Sequence, residues 1–117
     1  MSKACVINEK DCPFYNVAWG QTKGILAAES VASNPDLQIR ITEYKPFWEH
    51  SLHVHPRQAE VIFVLSGSGV SETQEGRNPI FPGCAAYIPA GVEHATLNPN
   101  PEPLRVLIIK SPADLQK

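Results

Sequence analysis

The stretch "HVHPRQAEVIFVLSG", residues 53–67, sets two histidines one position apart, then a carboxylate, then an unbroken apolar run. In an extended chain side chains alternate faces, so His53 and His55 point the same way with Cα atoms about 6–7 Å apart. Two imidazoles so placed can lean on one ion. Glu60 lies an odd number of positions beyond His55, and a continuous strand sends it to the opposite face. Pro56 cannot donate to a central ladder and marks a break. If "PRQA", residues 56–59, is a hairpin loop, His55 opposes Glu60 and His53 opposes Ile62. All three polar groups then share a face, with Ile62 and Val64 continuing it as an apolar wall.

A second stretch, "GCAAYIPAGVEHATLN", residues 83–98, offers a fourth donor. With "PAGVE" as the loop of another hairpin, Ile88 faces His94, and His94, Thr96 and Asn98 alternate along one side. Two readings stay open on spacing alone. The histidines and Glu60 are either metal ligands or solvated polar residues at hairpin ends, and nothing local shows that the two hairpins meet.

Eleven prolines and seven glycines punctuate the chain, and the intervening segments are short and rich in Val, Ile, Phe and Tyr. That pattern predicts an all-β sandwich or barrel. Candidate strands cover residues 24–29, 37–44, 52–55, 60–65, 70–74, 80–81, 84–88, 94–98 and 104–110. The stretch "GILAAESVAS", residues 24–33, reads equally as a short helix. The tail "SPADLQK", with Ser111 as N-cap and Pro112 at the first helical position, is expected to begin a helical turn.

At 117 residues the chain is expected to form one domain, with residues 1–20 as an N-terminal arm. The formal net charge is -2 and the ten Lys and Arg are scattered, so no nucleic-acid face is evident and small molecules are the expected partners. The N-terminus lacks a signal-peptide core and runs such as "VIFVL" are too short to span a bilayer, which predicts a cytoplasmic protein without membrane contact. Cys5, Cys12 and Cys84 are an odd count without C-x-x-C spacing, the usage of reduced thiols.

The two stretches resemble the signatures of the cupin superfamily, G-x5-H-x-H-x3,4-E-x6-G and G-x5-P-x-G-x2-H-x3-N. Here the first reads His53, His55, Glu60 and Gly67, and the second reads Gly83, Pro89, Gly91, His94 and Asn98. The one departure is Phe47, which stands where the first motif opens on glycine. The motifs span residues 47–98, with a spacer of fifteen residues between Gly67 and Gly83 like that of small, mostly microbial cupins.

The resemblance implies a double-stranded β-helix, a short jelly-roll barrel. It also implies one divalent metal held by His53, His55, Glu60 and His94. Three imidazoles and a carboxylate suit Fe, Mn, Co, Ni, Cu or Zn and exclude little beyond calcium and magnesium. Gly67 and Gly91 suit positive-φ turn positions. The expected function is a metal-dependent enzyme of dioxygenase or isomerase/lyase type acting on a small polar metabolite, and the alternative is a non-catalytic small-molecule- or metal-binding module. Candidate catalytic groups are His50, three residues before the first ligand, with Arg40 and Tyr44. Arg40, Thr42 and Tyr44 alternate with Ile39, Ile41 and Glu43, but parity is lost through "KPFWEHS", which leaves the inward set open. The run "EVIFVL" is apolar on both faces. Val61, Phe63 and Leu65 therefore need a cover, either the arm, through Val6, Ile7, Phe14, Tyr15, Val17 and Trp19, or a second subunit; with the resemblance, which implies pairing through such faces, the expectation is a homodimer.

Overall fold

The computed structural model describes residues 3–114 as nine strands: β1 (Tyr15–Val17), β2 (Gly20–Leu26), β3 (Gln38–Tyr44), β4 (Ala59–Ser66), β5 (Gly69–Thr73), β6 (Gly76–Ile80), β7 (Ala85–Ile88), β8 (His94–Leu97) and β9 (Leu104–Ser111). All pairings are antiparallel. Six strands form one sheet in the order β1-β2-β3-β9-β4-β7, and three form a second in the order β6-β5-β8. The crossovers place chain-distant strands side by side, as in a double-stranded β-helix. Among the described residues no helix is long and apolar enough to cross a membrane.

The larger sheet turns one face to the smaller sheet, and the pleat decides which side chains lie between them. Cross-strand rows run Arg40–Ile108–Ile62 and Thr42–Val106–Val64. These apolar residues, with Leu104, Ile80 and Tyr44, make the core. Val64, Leu104 and Val106 are at most 1% exposed, and burial of each such side chain contributes about 1.5–3 kcal/mol. The inward set on β3 is thus Gln38, Arg40, Thr42 and Tyr44. Ile62 and Val64 face the interior as their alternation predicts, while Phe63 and Leu65 are exposed on the outer face.

Several local expectations are corrected. His55 does not oppose Glu60. The chain turns tightly at Pro56–Arg57, where Gln58 N donates to His55 O, and Glu60 pairs with Ile88 of β7 and Lys110 of β9. Nor does His94 oppose Ile88, because its partners are Thr73 of β5 and His53. Each turn carries the chain from one sheet toward the other, so segments that look like the arms of a hairpin belong to different sheets. Residues 52–55 form no strand. Instead the segment from Trp48 to His53 runs antiparallel along the free edge of β8, bridged at Trp48–Asn98 and His53–His94. Strand β2 starts at Gly20 and bulges between Gly24 and Leu26, and residues 27–30 form a turn closed by Ser30 N to Ala27 O (2.9 Å), not a helix. Ser111 ends β9 and residues 112–114 form no helical turn; the remainder of that expectation, residues 115–117, lies outside the described residues.

The arm does not cover Val61, Phe63 and Leu65. A single 3-10 turn (Glu9–Asp11), capped by Asn8, sits on the outer face of β2 and β9. There Glu9 pairs with Lys23 and Arg105, and Lys23 Nζ stands 4.5 Å over the Phe14 ring. The arm then wraps the sheet edge as β1.

Gly67 adopts φ +79, and a Cβ there would meet Pro103 O at 2.4 Å, so this turn demands glycine on two counts. Phe47 has φ 57, the one positive-φ non-glycine among the described residues. The departure from the first motif therefore keeps the backbone shape that glycine normally supplies, with a bulky side chain on it.

Candidate metal centre

The path of the chain explains why four polar side chains meet. His53 and His94 exchange both backbone hydrogen bonds, at 2.9 and 2.8 Å, which fixes the two residues side by side at the edge of the smaller sheet. Gly91 N donates to His55 O at 3.0 Å and holds the next histidine against the loop that leads into β8. Glu60 comes from the other sheet. Its carboxylate spans the gap to His94 Nε2 at 3.0 Å and stands 3.8 Å from His55 Nε2.

Donor atoms of His53, His55 and His94 all lie within 4.8 Å of one another, with His53 exposed, His55 half-buried and His94 buried. Imidazole nitrogens about 2.0–2.1 Å from a zinc-like ion are compatible with such a spacing after small ring rotations. The orientation also fits. Val92 O can only accept, so His94 Nδ1 carries a proton and donates to it at 2.9 Å, which aims Nε2 into the cluster.

The electrostatics of the cluster follow from its burial and its one carboxylate. Desolvation lowers His53 to about 4, helped by the neighbouring His94 and His55, so its ring is neutral at pH 7. Desolvation likewise lowers His55, with Lys110 adding to the effect. Desolvation also opposes the charge on His94, but the hydrogen bonds to Glu60 and Val92 outweigh it and raise this histidine. Burial would raise Glu60, yet the His94 hydrogen bond and the Lys110 charge hold it below the usual carboxylate range. The pair is therefore a carboxylate facing a proton-holding imidazole, a proton position that a divalent cation can take over.

The cluster borders a cavity of about 390 Å³. All three candidate catalytic residues line it. Arg40 is already engaged, with Nη1 and Nη2 donating to the two Glu29 carboxylate oxygens at 2.6 and 3.0 Å and Nη1 to the Tyr15 hydroxyl at 3.1 Å. Burial and the Glu60 charge push the Tyr44 phenol up, with a Thr96 hydrogen bond working against them, so it stays protonated. His50 is exposed, its Nδ1 lying 2.7 Å from Ser51 O. Tyr15, Trp19 and Trp48 supply an aromatic part of the wall, and Lys110 and Asp114 close one side.

Lys110 and Asp114 were not legible as site residues, although one signal existed. Leu104, Val106 and Ile108 alternate as an inward set, and the same parity carries Lys110 onto the cavity side. Asp114 had no such signal, since it lies beyond the strand. Its position is set by Gln38 and Gln58, whose amides donate to it at 3.0 and 2.9 Å.

Two antiparallel sheets enclosing a histidine cluster and a small cavity define the double-stranded β-helix class. The cupin-domain family model matches residues 40–110, more than half of the chain, and the protein belongs to the cupin family. Solved structures carry the same fold. KdgF from Halomonas sp. superposes with a TM-score of 0.82 at 19% identity over 96% of both chains. The DMSP lyase DddQ from Ruegeria pomeroyi gives 0.71 at 20% identity, over 82% of this chain and 48% of that one. A cupin-superfamily sugar phosphate isomerase from Silicibacter pomeroyi gives 0.66 at 22% identity, over 77% and 59%. A search of curated proteins finds no match.

Proposed function

We propose that the protein is a metal-dependent cupin enzyme acting on a small polar metabolite, with His53, His55, Glu60 and His94 holding one divalent transition metal. The carrying observation is the convergence of three histidine donors within 4.8 Å at the wall of a cavity sized for a metabolite. When bound, such an ion supplies Lewis-acid or O₂ chemistry at the positions its protein ligands leave open. The chain's own residues do the rest. Val92 O orients His94, Glu60 provides the one negative ligand, and the aromatic wall limits the water around a bound ligand. Tyr44, beside Glu60 and kept protonated, is the inward hydroxyl placed to give a hydrogen bond to a ligand, and His50 at the mouth is the second candidate acid or base.

Support for catalysis over simple binding comes from those two groups, which a metal-storage or sensing module does not require. The names of two of the similar structures, an isomerase and a lyase, agree with the non-redox branch of this reading. The test is elemental analysis of protein purified without chelator or nickel resin, followed by O₂ uptake on the Fe(II) form with diketones, phenols and organic acids. Stoichiometric metal that disappears in His94→Ala and Glu60→Ala is the expected result. Unchanged metal in those variants overturns the site. Iron with O₂ uptake identifies a dioxygenase, and metal without uptake identifies the isomerase/lyase branch.

A homodimer belongs to the same reading. Rows Tyr87–Val61–Ile109 and Ala85–Phe63–Leu107 run across the outer face of β7, β4 and β9, and the arm lies elsewhere on the sheet. Such a face supports pairing with a second copy.

A further inference from the structure

Lys110 is the cation of the cavity that donates no hydrogen bond among the described residues. Its side chain is only 16% exposed, and it lies in the cross-strand row Gln38–Lys110–Glu60, one strand from the carboxylate of the candidate metal centre. Its counter-charge, Asp114 Oδ2, is 3.6 Å away, beyond hydrogen-bond reach, and both Asp114 oxygens already accept from Gln38 and Gln58 amides. The nearest charged partner among the described residues is thus an ion-pair contact and not a hydrogen bond. Arg40, on the same wall, is the contrast, because Glu29 and Tyr15 occupy its donors.

Most of the Lys110 side chain is buried, and an ammonium held on such a stem gains from a partner that uses its donors. Here they open onto the cavity, which Lys110 lines together with His53, His55 and Glu60. We infer that the cavity takes a small organic oxyanion, a carboxylate or a phosphate, whose charged group sits on Lys110 while the remainder of the ligand extends to the histidine cluster. The inference rests on the proposed function in placing the ligand's far end at the metal centre. A charge-assisted hydrogen bond in a half-desolvated cavity selects for an anion over a neutral analogue of the same shape. Asp114, held by its two amides, tunes this site by offsetting part of the Lys110 charge.

Three probes that share a three-carbon skeleton test it by calorimetric titration of the protein as purified: glycerate, glycerol 3-phosphate and glycerol. One anion is expected to bind at least about tenfold tighter than glycerol. Which one does so separates a carboxylate from a phosphate ligand. Lys110→Met should abolish that preference, Lys110→Arg should retain much of it, and Asp114→Asn should strengthen it. The inference is overturned if neither anion outbinds glycerol, or if Lys110→Met keeps the preference intact. Should Lys110→Met fail to fold, Asp114→Asn decides, since unchanged or weaker anion binding in that variant also overturns it. Metal content of the same samples keeps the two readings apart. Lys110-dependent anion binding in a metal-free protein refutes only the metal centre, and retained metal without Lys110 dependence refutes only the anion site.

Discussion

His53 and His94, forty-one positions apart, are locked together by reciprocal backbone hydrogen bonds, and their rings stand 4.4 Å apart between centroids. His94 in turn reaches across the sandwich to Glu60. Substituting His94 by Ala removes one candidate ligand and leaves the Glu60 carboxylate, 6% exposed, without its hydrogen-bond partner. The expected cost is about 1–3 kcal/mol of stability together with loss of bound metal. For the wild type, a chelator should lower the melting temperature, since an ion at about a hundredfold over its dissociation constant stabilises by roughly 2.7 kcal/mol. Thermal melts with and without chelator, paired with elemental analysis, check both; a chelator-insensitive melt counts against the metal centre.

Phe47 holds a left-handed backbone that costs a side-chain-bearing residue about 1–2 kcal/mol, and its ring is 66% exposed. Glycine relieves this but adds unfolded-state freedom. Phe47→Gly should therefore raise stability by about 0.5–1 kcal/mol, read as a higher urea midpoint with unchanged slope. A lower midpoint would mean that the ring carries packing worth more than the backbone strain.

Asp114 should make stability depend on pH in the acid range. Burial opposes its ionisation, but the hydrogen bonds from Gln58 and Gln38 and the charges of Lys110 and Arg40 prevail and lower its pKa. A depressed folded pKa contributes stability that is fully present above the unfolded value, about 3.9, and is lost as pH falls through the folded one. The side chain is half exposed, so solvent screening limits the contribution to about 1 kcal/mol or less. Urea midpoints of wild type and Asp114→Asn should differ at pH 6, and the gap should close as pH falls through the folded pKa; a gap that persists unchanged in acid would exclude ionisation as its origin.

Phe63, 37% exposed at the centre of the apolar outer face, is the place to break a dimer. Light scattering at micromolar concentration is expected to give twice the chain mass of 12.9 kDa for wild type and a single chain for Phe63→Glu. A wild-type mass of one chain rules the dimer out.

Much of the candidate site was readable along the chain. The period-2 alternation of residues 60–65 put Ile62 and Val64 inside and Phe63 and Leu65 outside, as the structure has them. The four ligand candidates were legible as residue types at motif spacing. Their pairing was not, because a local rule of two strands and a short loop assigns His55 to Glu60 and Ile88 to His94, whereas the chain changes sheets at each turn.

By itself the sequence determined composition-level facts and local periods: an all-β chain, three histidines and a glutamate at ligand spacing, and glycine where Gly67 must turn; that Phe47 keeps a left-handed backbone at the motif's glycine position came only from the structure. Tertiary structure decided which face of β3 turns inward, that His53 lies against His94, and that Lys110 opens onto the cavity instead of solvent. Side-chain parity is a property of one strand and is lost through a loop such as residues 45–51. Which strands become neighbours depends on burying both sheets' apolar faces at once, and that is a condition on the whole chain.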